Sequence, residues 1–487
     1  MAQITFSADL QDCLADAQTL VVIARKADLS NGWPLNGLPA AIKEVAERLA
    51  ADAKPAMGAA ATTLLPVGGA KQLVLIALHD KISRHLSETR ALEIYLALRG
   101  AARPDTGKVA IVAALTDAAQ AEGTALAIGR SYPLYSRKSG AKPTEGKIAV
   151  HLHLQAGAIQ AGLGDLQAAV DAVRLAQRLV DMPTLELDTA VFEREAIAAV
   201  AGLPGVTTQS IIGDELLTHG LRGLHAVGRT AMVAPRLVIL DYNPADAQGE
   251  AVALIGKGLV YDTGGLFLKI VDSRMLTMKC DMGGAAAVLG AFVLLAKSGL
   301  KRRVVAALAM AENAIGPDAY RPDDVIEMHS GKTMEVNNTD AEGRIALADA
   351  ASYIARNYPV QVLIDAATLT GAQLMATGKF HAGIVSNDAE LEDKTVAAGL
   401  ASGDHCMPLL YSPELHTSEF KSAVADMRNS VADRMNAPSS ASGLWVYLHI
   451  DDLNLRWVHI DLAGPAFVDN RGTGYGVGLI EQLVKAL

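Results

Sequence analysis

Short apolar runs rich in Val, Ile and Leu alternate with longer helical patterns along most of the chain, and that alternation restricts the fold to α/β layers. Buried strands are predicted over 72–77, 109–113, 236–240, 251–256, 303–310 and 360–365, and helices over 38–53, 166–179, 283–298 and 342–357. A chain of 487 residues exceeds one ordinary core and fits two domains. The boundary falls on an amphipathic stretch closed by Pro183, because a proline there stops a helix. The expected division is an N-terminal α/β domain over 1–162, a linker helix over 163–182 and a larger domain over 183–487.

Composition excludes several classes. Half the residues are apolar but only 4% are aromatic, which suits close helix-on-sheet packing better than a base-stacking surface. The formal charge is −10 and no run of Lys and Arg tracks a phosphate backbone, so nucleic acid is not expected as a primary partner. Cys13, Cys280 and Cys406 form no CxxC pair and read as reduced thiols. The first residues lack the basic start and apolar stretch of a secretory signal. The longest uncharged apolar run, 282–296, falls short of the ~20 residues of a membrane span, so a cytoplasmic location without membrane contact is expected.

Three segments of the second half carry clustered polar residues. In Ile255-Gly-Lys257-Gly-Leu-Val-Tyr-Asp262-Thr-Gly-Gly-Leu-Phe-Leu-Lys269, two lysines and an aspartate follow an apolar strand, and the glycines are expected to turn the backbone tightly. Met278-Lys-Cys-Asp281 leads into an Ala-rich helix, and Asn337-Asn-Thr339-Asp340-Ala-Glu342-Gly-Arg344 leads into another. Each has a purely structural reading: Thr339 with Glu342 as a capping box, Asp281 as an N-cap, Lys257 as a solvated loop charge. The combination shifts the balance. Asp262, Asp281, Asp340 and Glu342 would bring four carboxylates to one sheet edge, where they cannot all stay ionised without cations among them. A pair of divalent ions typically ~3.5–4 Å apart would neutralise them and share an acidified water.

These segments resemble the leucyl, or cytosol, aminopeptidases, whose signature Asn-Thr-Asp-Ala-Glu-Gly-Arg is present from Asn338 to Arg344. The resemblance spans the second half, through Asp365-Ala-Ala-Thr368-Leu-Thr-Gly371 and His459-Ile-Asp-Leu-Ala463-Gly464. Asn429-Ser-Val-Ala-Asp-Arg434, with Ser439-Ser440, is similar to the branch named probable aminopeptidase-like. It implies a macro-like N-terminal α/β domain, a catalytic α/β domain with a central mixed sheet, and a homohexamer.

Residue by residue, the resemblance implies that Lys257, Asp262, Asp281 and Glu342 hold one metal. Asp262, Asp340 and Glu342 hold the other, with the Asp340 carbonyl as a further ligand. Lys257 would bind as a neutral amine, so its pKa must fall well below the usual ~10.4. Lys269 would keep its proton and face the oxygen that becomes negative as water attacks, and Arg344 would hold a bicarbonate that carries the proton. Thr368, Leu369 and Gly371 would align the peptide, with Met278 and Ala463 bordering the pocket for its first side chain. Anchoring of the free α-amine fixes the cut one residue in.

Two positions depart from the digestive members: Thr263 replaces serine, and Pro465-Ala466 stands where a methionine follows the Ala-Gly pair. The second change reshapes the pocket, and an apolar preference is expected. The metals implied are Zn or Mn, with Mg or Co also accommodated by oxygen ligands. A phosphoester hydrolase and a non-catalytic, DNA-binding assembly protein are the competing readings. The two lysines and the complete ligand set favour amide cleavage over both.

Overall fold

The computed structural model describes residues 2–65, 70–101, 107–139, 146–155, 157–160, 162–270 and 275–487. They form two compact units, residues 1–174 with 399–403, and residues 175–398 with 404–487. The helix Leu163–Asp181 is continuous, and the division falls inside it at 174/175.

The first unit is built on a seven-stranded sheet, ordered Gln3–Phe6, Lys147–Leu154, Lys108–Leu115, Ala17–Arg25, Gln72–Leu78, Ala61–Leu64, with Gly157–Ala158 pairing off this path. The first five strands in this order are parallel. Leu73, Val74, Leu75 and Ile76 are all 1% exposed or less, since apolar clusters cover both faces. A parallel strand buried on both sides has no polar face, which is why these segments read as unbroken apolar runs.

The second unit holds an eight-stranded mixed sheet, ordered Cys406–Pro408, Ala382–Ser386, Arg456–Asp461, Val362–Ala367, Val252–Asp262, Val304–Asn313, Arg236–Tyr242, Val206–Ile212. Its four central strands are parallel. Antiparallel partners flank them on either side. Side chains alternate along a strand. Gly256 therefore faces the helix Gly283–Lys297 and Lys257 faces the helix Glu342–Asn357, on opposite sides of the sheet. A Cβ on Gly256 would come 2.5 Å from the Cα of Ala285, so this glycine serves close helix packing and not a turn. The turn comes later, at Gly264 and Gly265 (φ +85° and +60°).

Strands predicted to stop at 256, 310 and 365 continue to Asp262, Asn313 and Ala367. In the first two continuations polar residues, Lys257 and Asp262 in one and Glu312 and Asn313 in the other, interrupt the apolar run and hide the strand from its periodicity. The run predicted to be too short for a membrane is longer in the structure: Met278–Lys297 passes by length and composition, but 89% of its most apolar stretch is buried within the protein. It is a core helix, apolar on every side because the sheet and the C-terminal helix Val477–Ala486 pack around it.

Candidate metal centre

The segments singled out in the sequence converge at the C-terminal edge of the central parallel strands, where open α/β sheets place their sites. Lys257 and Asp262 lie on the strand Val252–Asp262, Asp281 just precedes the helix Gly283–Lys297, and Asp340 and Glu342 stand at the start of Glu342–Asn357. The purely structural readings do not describe them. Residue 341 is the N-cap of the second helix and residue 282 of the first, and neither cap uses a side chain. The Thr339 hydroxyl is occupied elsewhere: it donates to the Gly264 carbonyl at 2.7 Å and accepts the Phe267 N–H at 2.8 Å.

The two lysines sit between pairs of carboxylates. Lys257 Nζ is 2.8 Å from Asp281 Oδ1 and 2.9 Å from Glu342 Oε1, while Lys269 Nζ is 2.7 Å from Asp262 Oδ2 and 2.5 Å from Asp340 Oδ1. Asp262, Asp340 and Glu342 each offer an oxygen within 4.8 Å of the others, close enough to hold one metal ion. Asp281 Oδ2 and Glu342 Oε2 are buried without a hydrogen-bond partner among the described residues. Four carboxylates outnumber two ammonium groups, so the cluster carries surplus negative charge and unpaired oxygens, a donor set that suits divalent cations.

Protonation follows from this crowding. Burial raises the Asp262 carboxyl to about 6, and the neighbouring Glu342 charge adds to the shift. Asp281 and Asp340 are also raised, chiefly by burial. Glu342 moves the other way, because Lys257 and Lys269 outweigh its burial. For Lys257, burial lowers the pKa, but the charges of Asp281, Glu342 and Asp262 win and the net direction is up. A neutral Lys257 thus requires added positive charge to reverse that field. Lys269 is raised for the same reason and stays protonated. Arg344 is 7% exposed, and its Nε and Nη1 have no acceptor among the described residues. Burial lowers its pKa to about 10, which leaves it charged at neutral pH.

The residues expected to meet substrate flank this cluster. Thr368 touches it directly, its hydroxyl donating to Asp281 Oδ1 at 2.9 Å and its carbonyl accepting from Lys257 Nζ at 3.2 Å. Thr368 and Leu369 follow the strand Val362–Ala367, and Gly371 opens the helix Gly371–Thr377. Met278 opens the 3-10 turn Met278–Cys280 before Asp281, and Ala463 follows the strand Arg456–Asp461. Leu369, Met278 and Ala463 are each partly exposed.

Sequence reasoning missed Asn313 and Tyr320. Asn313 is fully buried and donates from Nδ2 to Asp262 Oδ1 at 2.8 Å and to the Thr339 carbonyl at 3.0 Å, while the Tyr320 hydroxyl donates to that same carbonyl at 2.6 Å. With the Gly264 N–H also on Oδ1 at 2.8 Å, Asp262 keeps Oδ2 as the oxygen facing the cluster. The one available signal was an asparagine closing an apolar strand, since its role depends on the register Asp262↔Asn313.

The model of the cytosol aminopeptidase family catalytic domain matches residues 174–481. A probable aminopeptidase of Mus musculus, NPEPL1, is 44% identical over 414 residues, covering 84% of this chain and 78% of that one. The apo structure of leucyl aminopeptidase from Trypanosoma cruzi superposes with a TM-score of 0.90 at 35% identity, covering 99% of this chain and 97% of that one. The Trypanosoma brucei leucyl aminopeptidase in complex with bestatin gives 0.89 at 32% identity, over 99% and 95%. With the site geometry and the likeness running through both units, the chain belongs to the cytosol aminopeptidase family of hydrolases.

Proposed function

We propose that the protein is a dimetal aminopeptidase that releases N-terminal residues, preferably apolar ones, from peptides. The observation that carries this is the convergence of Asp262, Asp281, Asp340 and Glu342 around the ammonium groups of Lys257 and Lys269, with two carboxylate oxygens left unpaired. Lys257, Asp262, Asp281 and Glu342 would hold one divalent ion, and Asp262, Asp340 and Glu342 the other. The pair would supply an acidified water and polarise the scissile carbonyl. With both ions held, the carboxylates would no longer be available to pair with the two ammonium groups. Lys257 would serve as a neutral ligand, and Lys269 would keep its proton and face the oxygen that gains charge in the transition state.

Arg344 would hold a bicarbonate ion, because its buried fork has two N–H-bearing nitrogens without acceptors and matches a planar three-oxygen anion. Thr368, Leu369 and Gly371 align the peptide, and Met278 and Ala463 border the first side chain. The relatives named cytosol aminopeptidase support a cytoplasmic location, and the family resemblance supports a homohexamer, which sedimentation velocity tests. The decisive experiment strips the protein of metal, refills it with Zn or Mn, and measures residue release from a peptide library. Stepwise release that returns with metal is expected. Full release after exhaustive chelation overturns the reading.

A further inference from the structure

Asp461 joins both substrate-facing segments to a third element. It is fully buried at the end of the strand Arg456–Asp461. Its Oδ1 accepts the backbone N–H groups of Leu369 at 3.1 Å, Thr370 at 3.4 Å and Ala463 at 3.4 Å. Its Oδ2 accepts the hydroxyls of Thr370 at 2.6 Å and Ser439 at 2.9 Å. Leu369 belongs to the segment proposed to align the peptide and Ala463 to the one proposed to border the pocket for its first side chain, and Ser439 lies in the first turn of the helix Pro438–Tyr447.

The contacts close a ring. Thr370 donates to Asp461 and, as N-cap of Gly371–Thr377, accepts the Gln373 N–H at 3.1 Å. The buried Gln373 accepts the Gly464 N–H on Oε1 at 2.7 Å, which returns to the segment after Asp461. On its other side the Thr368–Leu369 segment is pinned to Lys257 and Asp281. No lysine or arginine forms an ion pair with Asp461 among the described residues. The hydrogen bonds that Asp461 accepts all come from neutral donors, and the Arg344 charge acts on it only through space; removing one of those donors leaves a buried oxygen short of a partner. That requirement makes the ring stiff.

We infer that Asp461 is a positioning residue that sets the spacing between the Thr368–Gly371 and Ala463–Gly464 walls, and through it the side-chain preference of the enzyme. This rests on the aminopeptidase reading of the site. Asp461 touches no metal ligand; it acts through the two walls.

The test compares wild type with Asp461→Asn, which keeps volume but replaces an oxygen that two hydroxyls need as acceptor, and with Thr370→Val, which removes one of those hydroxyls. Turnover of the Leu, Ala and Phe aminoacyl-coumarin amides is measured beside metal content per chain. In both variants KM for the preferred substrate is expected to rise by about tenfold or more, and the ranking of the three substrates to change, with metal content unchanged. A ranking kept within about twofold in both variants overturns the inference, as does loss of metal in parallel with activity. If Asp461→Asn fails to fold, Thr370→Val carries the same expectation alone. Wild type without turnover of any substrate defeats the aminopeptidase reading and this inference together, whereas active wild type with unshifted variants defeats only the latter.

Discussion

Lys269 and Glu342 make different demands on the same cluster, and substitutions separate them. Lys269 Nζ lies between Asp262 and Asp340, outside the proposed ligand set. Lys269→Met is therefore expected to leave both metals bound and lower kcat by about 10²–10³, the usual cost of one transition-state charge donor. Equal metal content with an unchanged kcat would remove Lys269 from the chemistry. Glu342 is assigned to both ions, so Glu342→Ala should lose metal and activity together, read by metal analysis of the purified protein. At this scale the three motif segments offered the proposed ligands but not what holds them. Asn313 and Tyr320 act through hydrogen bonds across 51 and 19 positions of sequence, distances over which no local pattern signals a contact.

Elements explain why such crowding is possible. A Cβ on Gly343 would come 2.5 Å from Cε and Nζ of Lys257, so the first turn of Glu342–Asn357 leaves room for the lysine only because that residue is glycine. Two effects oppose each other in Gly343→Ala. Helix propensity favours alanine by about 0.5–1 kcal/mol, but the clash falls on a buried ammonium side chain whose displacement breaks its ion pairs with Asp281 and Glu342, a larger cost of about 3–5 kcal/mol. The variant should therefore melt below the wild-type temperature, with metal affinity and turnover down by about tenfold or more as Lys257 is displaced. A variant with undiminished metal binding would show that Lys257 is no ligand. The helix itself was legible, with both ends predicted at their observed positions. The strands were cut short, because Lys257, Asp262 and Asn313 break apolar runs that the backbone continues through.

Across the whole molecule, acid sensitivity should arise from buried neutral histidines. Burial lowers His449 to about 3, aided by the charge of Lys332, while its Nδ1 shares a 2.7 Å hydrogen bond with Ser330 Oγ and its ring packs on Trp445. His329 is lowered to about 4, by burial first and then by Arg356. A depressed folded-state pKa means the stabilisation is complete above the unfolded value of about 6.5 and is lost as pH falls toward the folded value. Asp349 works in the opposite sense: burial raises it to about 7, so its contribution declines as pH climbs from the carboxylate range. Single-site comparison separates these opposing slopes. The drop in Tm between pH 7 and pH 5 is expected to be smaller in His449→Gln than in wild type, and an equal drop would assign the acid loss to other groups. The amino-acid sequence by itself determined the α/β class, the paired units' scale and the identity of the clustered polar residues, because apolar period and short motifs are local properties of a chain. Only the tertiary structure decided that each lysine stands ion-paired between two carboxylates, that Asn313 fixes which oxygen Asp262 offers, and that Asp461 ties two loops together. Those facts depend on strand order and register, which are set by packing between segments far apart in sequence.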